Sequence, residues 1–311
     1  GKPIGTEAAN EGLVAGYALG LGRRDRHGVL GFCHGGNIVG FAAMLCIFPD
    51  EHKAFAYSIN TDSETANYGR FDKLFIDALK VADAQPPQTG DPASDISNWQ
   101  GRYVLSPNRF QMFRYLDTVF GAIKVSTTDG YLALVSLQQN TRLLRPVGDY
   151  FFSASDRTTT SHAFFQGKQG EFLISDGFRT YEKVSTAYLA AHWTSLFLGL
   201  AGLVWTLVVG SFSLFRYRFD VFRRPEAPAF ASSVLIFAPI PFFLAQPFMA
   251  LGDLTIASAL LAIVTLLLPV GMLSTILLAM KSLKESRMIL LHGLAAVFVL
   301  QWCAVLMTSG M

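Results

Sequence analysis

The chain has 311 residues, of which 51% are hydrophobic and 15% charged, with a formal net charge of +2. An ordinary soluble domain is roughly 25% charged, so charge is depleted here. The small net charge excludes a strongly basic nucleic-acid binder and an acidic disordered chain, and the three cysteines, Cys33, Cys46 and Cys303, are too few for a disulfide scaffold.

The depletion is uneven. Residues 1–186 carry 18 Lys+Arg and 19 Asp+Glu, whereas residues 187–311 carry 7 and 4. The first part has the composition of a soluble protein and the second is almost uncharged.

In chain order, Tyr17–Leu21 and Val29–His34 read as strands. Phe41–Phe48 and Ala54–Asn60 read as two apolar strands joined by the turn Pro49-Asp50-Glu51-His52. Tyr68–Val81 reads as a helix, with Phe71, Leu74, Phe75, Ile76 and Leu79 giving an apolar face at helical spacing. Strands followed by a terminal helix make the closing edge of an α/β sheet. Residues 12–82 do not complete such a domain, and its other half is expected upstream of Gly1.

Within this stretch lies Gly31-Phe32-Cys33-His34-Gly35-Gly36-Asn37-Ile38-Val39-Gly40-Phe41. Glycines 35, 36 and 40 leave a strand edge bare, so a substrate or another backbone can approach closely. His34 sits beside that edge, on the strand face opposite Cys33. A free backbone N–H at the end of such a strand suits oxyanion stabilisation. His27, Cys33 and His34 are close in sequence, but Cys33 and His34 point apart, so one metal ion cannot readily take both and no metal is expected. Cys33 and Cys46 fall on neighbouring strands and can pair in an oxidising compartment; the register that decides this is open.

The run Cys33-His34-Gly35-Gly36, followed by a strand and Phe48-Pro49-Asp50, resembles the third active-site motif of the serine β-lactamase and D-alanyl-D-alanine peptidase superfamily. The better-known form of that motif is K-T-G, and the H-x-G form marks the class C β-lactamase and esterase-like branch. Tyr17-Ala18-Leu19-Gly20-Leu21 resembles the branch's Y-G-L-G strand, with Ala18 departing from it. The resemblance covers the C-terminal end of that fold. It implies that His34 acts as the third-motif cationic or hydrogen-bonding group toward substrate and the general-base network. It implies that Gly35 and Gly36 give backbone clearance along the substrate, and that the Asn37 N–H supplies half of the oxyanion hole. It implies no cofactor and a peptide-like or β-lactam-like small substrate. The family's nucleophile motif, S-x-x-K, does not occur in this chain, nor does Y-x-N. Ser58-Ile59-Asn60 matches the S-x-N form of the second motif literally, but it follows the third motif and is read as coincidence. The chain is therefore expected to be the C-terminal part of a longer hydrolase, the alternative being a catalytically silent protein that binds cell-wall peptides or a protein partner.

Residues 83–97 are rich in Pro, Gly and Asp (Asp83, Pro86, Pro87, Gly90, Asp91, Pro92) and read as a linker. Residues 98–186 read as an antiparallel β meander, a small barrel or sandwich. Turn signals at Asp129-Gly130, Gly148-Asp149, Gly167–Gly170 and Asp176-Gly177 separate strands at Tyr131–Leu137, Arg142–Pro146, Tyr150–Ala154, His162–Phe165, Glu171–Ser175 and Arg179–Val184. Phe151-Phe152 and Phe164-Phe165 read as core; a ligand cavity inside the barrel is the alternative. The superfamily includes members with a lipocalin-like β domain and terminal membrane helices in this order.

Four apolar runs follow: Ala187–Phe215, Ala229–Leu251, Leu254–Met280 and Met288–Thr308. None contains Asp, Glu, Lys or Arg, and each reaches the roughly 20 residues needed to cross hydrocarbon. Four transmembrane helices are expected at 187–311, or three and a re-entrant piece. Pro239, Pro241 and Pro247 should kink the second run. Arg216, Arg218, Arg223 and Arg224 lie between runs one and two, and Lys281, Lys284 and Arg287 between runs three and four, so both loops are expected to face the cytoplasm. Residues 1–186 would then lie outside an inner membrane. Cys303 is read as a small apolar residue of a span, and His192 and His292 as packing or interfacial groups. Gly199, Gly202 and Gly210 allow close helix approach. The uncharged spans suggest a lipid-embedded anchor or a bundle that docks a protein partner rather than a transport pathway.

Overall fold

The computed structural model describes residues 13, 17–38, 40–61, 67–85, 87–108, 110–128, 131–138, 140–247, 250, 252–282 and 287–310. Val39, Pro86, Asp129-Gly130 and Lys284, which figure in the sequence reading, lie outside them. The described residues fall into two compact units, one within 1–109 and 116–186, the other within 110–115 and 187–311.

The first unit begins with a five-stranded antiparallel sheet. Its strands are β1 (Tyr17–Ala18), β2 (Leu21–Arg26), β3 (Val29–Ile38), β4 (Phe41–Phe48) and β5 (Lys53–Ile59), in that spatial order. The expected strand Tyr17–Leu21 is split, because Leu19 and Gly20 both take positive φ, 54° and 80°, and form a tight hairpin turn. The expected strand Val29–His34 continues to Ile38, so Gly35 and Gly36 lie inside the β3–β4 ladder rather than beyond it.

Helix α1 (Gly69–Leu79) covers one face of the sheet. Val29, Cys33, Cys46, Phe48, Phe55 and Ile76 are buried between them, with Phe75 and Leu79 packed alongside. Alternation puts Phe32, Ile38, Phe41 and Leu45 on the other face, where they are 40%, 59%, 52% and 40% exposed. Cys33 and Cys46 face each other across β3 and β4 and form a disulfide.

Strand β2 is charged, yet its charges are met from a distance. Arg24 pairs with the buried Asp72 of α1, and the Tyr57 hydroxyl donates to the same carboxylate at 2.9 Å. Burial and that hydrogen bond push the Tyr57 phenol up to about 12. The Asp25 carboxylate accepts the N–H groups of Thr158 and Thr159 at 2.7 and 2.6 Å, and both of their hydroxyls.

Those threonines belong to a closed eight-stranded antiparallel barrel. Its strands are β6 (Gly101–Leu105), β7 (Ile123–Thr128), β8 (Tyr131–Ser136), β9 (Arg142–Gly148), β10 (Phe151–Ala154), β11 (His162–Gln166), β12 (Phe172–Ser175) and β13 (Thr180–Val184). Closure removes both sheet edges. Tyr103, Val125, Leu132, Leu144, Phe152, Phe164 and Ile174 fill the interior, with Trp99 of a short 3-10 turn packed among them. One aromatic of each Phe-Phe pair points inward. The others, Phe151 and Phe165, pack outside against Leu13, Ala163 and Leu173. The expected linker is held along the barrel, since Gly90 N–H donates to Pro146 and Ala93 N–H to Asp149. Strands β6 and β7, and helix α2 (Arg114–Phe120) between them, were not anticipated.

The second unit contains α3 (Thr186–Tyr217), α4 (Ala227–Leu235), α5 (Ile240–Leu244), α6 (Ile256–Lys281) and α7 (Arg287–Thr308). Four stretches among them are long and apolar enough to cross a membrane: 186–223, 227–244, 256–281 and 287–308. The second is broken between α4 and α5, where Pro239 caps α5 and Pro241 lies in its first turn. A Cβ at Gly199 would meet Trp302 at 2.6 Å, one at Gly202 the Ala295 carbonyl at 2.5 Å, and one at Gly210 would run into the Phe230 ring. Close helix approach therefore depends on these three positions. Just before α4, Glu226 is only 3% exposed, held by Arg224 at 2.7 Å and the Ser213 hydroxyl at 3.3 Å.

Candidate active site

The residues of the His34 motif lie at the far end of β3. Strand β2 runs beside β3 only as far as the Gly22–Cys33 pair, whereas β4 continues beside it to the Ile38–Phe41 pair. Among the described residues, β3 is thus paired on one side only beyond Cys33.

The disulfide fixes which amides are free. Cys33 and Cys46 have Cα atoms 4.1 Å apart, the spacing of a non-hydrogen-bonded antiparallel pair. Pairs alternate along the ladder, so Gly35–Met44 and Asn37–Ala42 are of the same kind. The N–H of Asn37 therefore points away from β4, into the space past the end of β2.

His34 is exposed on the face opposite the disulfide. Its Nδ1 lies 2.5 Å from the Gly20 carbonyl and 3.0 Å from the Tyr17 hydroxyl. A carbonyl only accepts, so Nδ1 carries a proton, and in the neutral ring Nε2 is then the acceptor. The turn that makes this possible is unusual, because Leu19 sits in the left-handed region with its side chain 94% exposed. A branched residue there is strained, and the turn it closes aims the Gly20 carbonyl at His34. Gly22 makes room for the tyrosine, since a Cβ there would come within 3.3 Å of the Tyr17 ring.

The two motif glycines differ. A Cβ at Gly35 would meet Met44 Cε at 2.8 Å on the α1 side. A Cβ at Gly36 would meet nothing within 4 Å and would project from the His34 face into open space. Ser58 shares that face, in the row Gly36–Ala43–Ser58 across β3, β4 and β5. Two strand spacings, roughly 10 Å, separate it from Gly36, too far to hydrogen bond with His34.

Tyr17 and the Gly20 carbonyl are partners of His34 that sequence alone does not identify. Tyr17 was legible as part of a motif, but its contact with a residue 17 positions away depends on the hairpin register.

No family model matches the chain, and no curated protein matches it. Among solved structures, "Crystal structure of SurE with D-Leu" is similar at 20% identity over 56% of this chain and 40% of that one, with a TM-score of 0.33. "Crystal structure of SurE" is similar at 21% identity over 54% and 38%, with a TM-score of 0.32. The chain thus spans less than half the length of either solved protein, and likeness at this level carries no argument about fold or function.

Proposed function

We propose that residues 12–82 are the C-terminal part of a class C β-lactamase or D-alanyl-D-alanine peptidase-like serine hydrolase, working on amide or ester bonds outside the cytoplasm. In this reading the barrel is an accessory lipocalin-like domain and residues 187–311 anchor the enzyme in the inner membrane. The observation that carries it is the far end of β3. There His34 is fixed through Nδ1, with Nε2 unpartnered among the described residues, beside a Gly36 open to approach and an Asn37 amide outside the β3–β4 ladder.

That arrangement suits acyl transfer. A serine hydroxyl attacks the substrate carbonyl, and the oxyanion that forms lies against the Asn37 N–H and the nucleophile's own N–H. His34 Nε2 accepts a hydrogen bond from substrate or from the protonated base network; a protonated His34 offers it a charge-assisted donor instead. The exposed apolar face of the sheet supports the same reading, because a sheet with two apolar faces is built to be covered on both. The chain contains no S-x-x-K, and without a nucleophile no acyl-enzyme forms.

The test is labelling of the native protein in its own membranes with a fluorescent fluorophosphonate and a fluorescent β-lactam. A covalently labelled band that contains this chain is expected. Reversible binding of a D-alanyl peptide with no covalent band would instead favour the silent binding protein and overturn the hydrolase.

A further inference from the structure

The connection from β6 into α2 carries Phe110-Gln111-Met112-Phe113, the last three in a 3-10 turn, and then Arg114 at the start of α2. A surface loop of a water-soluble barrel is ordinarily polar, yet Phe110, Met112 and Phe113 are 53%, 58% and 45% exposed. Single exposed apolar residues are unremarkable, whereas three clustered in one short segment are not.

Residues 110–115 group with the membrane-type helices, not with the barrel whose strands they connect. Tyr115 is 1% exposed. Its hydroxyl accepts the indole N–H of Trp302 at 3.1 Å and lies 3.4 Å from the His192 carbonyl. The Gln111 side chain lies where a Cβ at Gly310 would fall, 2.6 Å from its Cγ.

These contacts set a depth. His192 is six residues inside α3, which starts at Thr186, and Trp302 is six residues before α7 ends at Thr308. At 1.5 Å per residue, Tyr115 lies alongside both helices about 9 Å below their ends. The same end carries Tyr188, His192, Trp193 and Trp302, the aromatic content of a membrane–water boundary. The segment thus runs from the level of Gly310, at Gln111, down to that of Trp302, at the Tyr115 hydroxyl, the zone in which an interfacial lipid-binding element lies.

We infer that residues 110–115 are a wedge seated in the bilayer surface, with Phe110, Met112 and Phe113 among acyl chains and the exposed Arg114 reaching up to lipid phosphates. The partner is the lipid itself, met beside the ends of α3 and α7. The inference rests on the helices crossing a membrane and is independent of the hydrolase reading.

The test uses the full chain in nanodiscs of phosphatidylcholine and phosphatidylglycerol. With Cys303→Ala removing the free thiol, and Cys33 and Cys46 held in their disulfide, a nitroxide is placed at Met112→Cys, at Phe113→Cys, or at Lys168→Cys on an exposed barrel hairpin. Collision with oxygen relative to a water-soluble nickel chelate should be several-fold higher at 112 and 113 than at 168. Nickel access at 112 and 113 equal to that at 168 would overturn the inference, as would shielding from both reagents, which would mean that protein covers the wedge.

Discussion

The five-stranded sheet and the eight-stranded barrel are both antiparallel meanders, but they dispose of their apolar surface differently. The barrel closes, and every inward side chain meets another: Tyr103, Leu144, Phe152 and Ile174 are all buried to within 2%. The sheet has α1 on one face and leaves Phe32, Ile38, Phe41 and Leu45 exposed on the other. Its β3 also overruns β2, leaving amides without ladder partners among the described residues. A closed architecture spends its backbone polarity and its apolar faces on itself. An open one keeps both available, and the residues with chemistry in reach are at the open end.

If this contrast is right, deletion should hurt the barrel most. Phe152→Ala removes a side chain from a filled interior and should cost about 3–5 kcal/mol, seen as loss of hydrogen-exchange protection across all eight strands. Leu45→Ala, on the bare face, should cost under about 1 kcal/mol. Equal losses would break the comparison.

The disulfide comes next. Cys33 and Cys46 are 13 residues apart, and closing a loop of this length contributes on the order of 3 kcal/mol. Cys33→Ala with Cys46→Ala should loosen β3 and β4 by up to that amount in exchange experiments and leave the barrel unchanged.

An effect of similar size at most, but spread over pH, belongs to His162. It is 4% exposed in the barrel, and burial, partly opposed by Asp176, lowers its pKa to about 4. The unfolded chain titrates near 6.5, so between about 6.5 and 4 it binds the extra proton. His162 therefore contributes fully above about 6.5, and the contribution is lost as pH falls toward 4, by a few kcal/mol at most. Exchange protection of β10 and β11 measured from pH 7 to 4 should show this slope, and His162→Asn should flatten it.

Least of all in stability is Gly36→Ala. Open space around that position predicts a change within about 0.5 kcal/mol, while the added methyl intrudes where substrate would approach. Normal folding with depressed covalent labelling is the expected pair of results; normal labelling would mean that the face is not used.

The sequence made some of this legible and hid the rest for physical reasons. Phe41–Phe48, the helix in Tyr68–Val81 and most barrel strands announce themselves by apolar pattern and glycine or aspartate turns. Strand β2 does not, because Leu-Gly-Arg-Arg-Asp-Arg looks like a solvated loop until Asp72 and Thr158–Thr159, 48 and 133 residues from their partners, satisfy its charges. The burial of Glu226 is hidden in the same way, because it depends on Ser213 and Arg224. At the candidate site, His34 was visible as a motif, and the parity of Cys33 and His34 followed from strand geometry. The partners that fix its tautomer were not visible, because they depend on where the β1–β2 turn lands. The register that pairs Cys33 with Cys46, and so frees the Asn37 amide, is likewise a property of the folded ladder.

The central claim is that the open end of β3 is the acyl-transfer site. Its most direct test is the rate of covalent labelling of the native protein by a fluorophosphonate probe in three forms: unmodified, His34→Ala, and His52→Asn as a control at the exposed β4–β5 turn. Loss of a positioned hydrogen-bonding group at an acyl-transfer site costs roughly 10²-fold or more. A drop of that size in His34→Ala with His52→Asn unchanged is the predicted result; equal rates in all three would contradict the account.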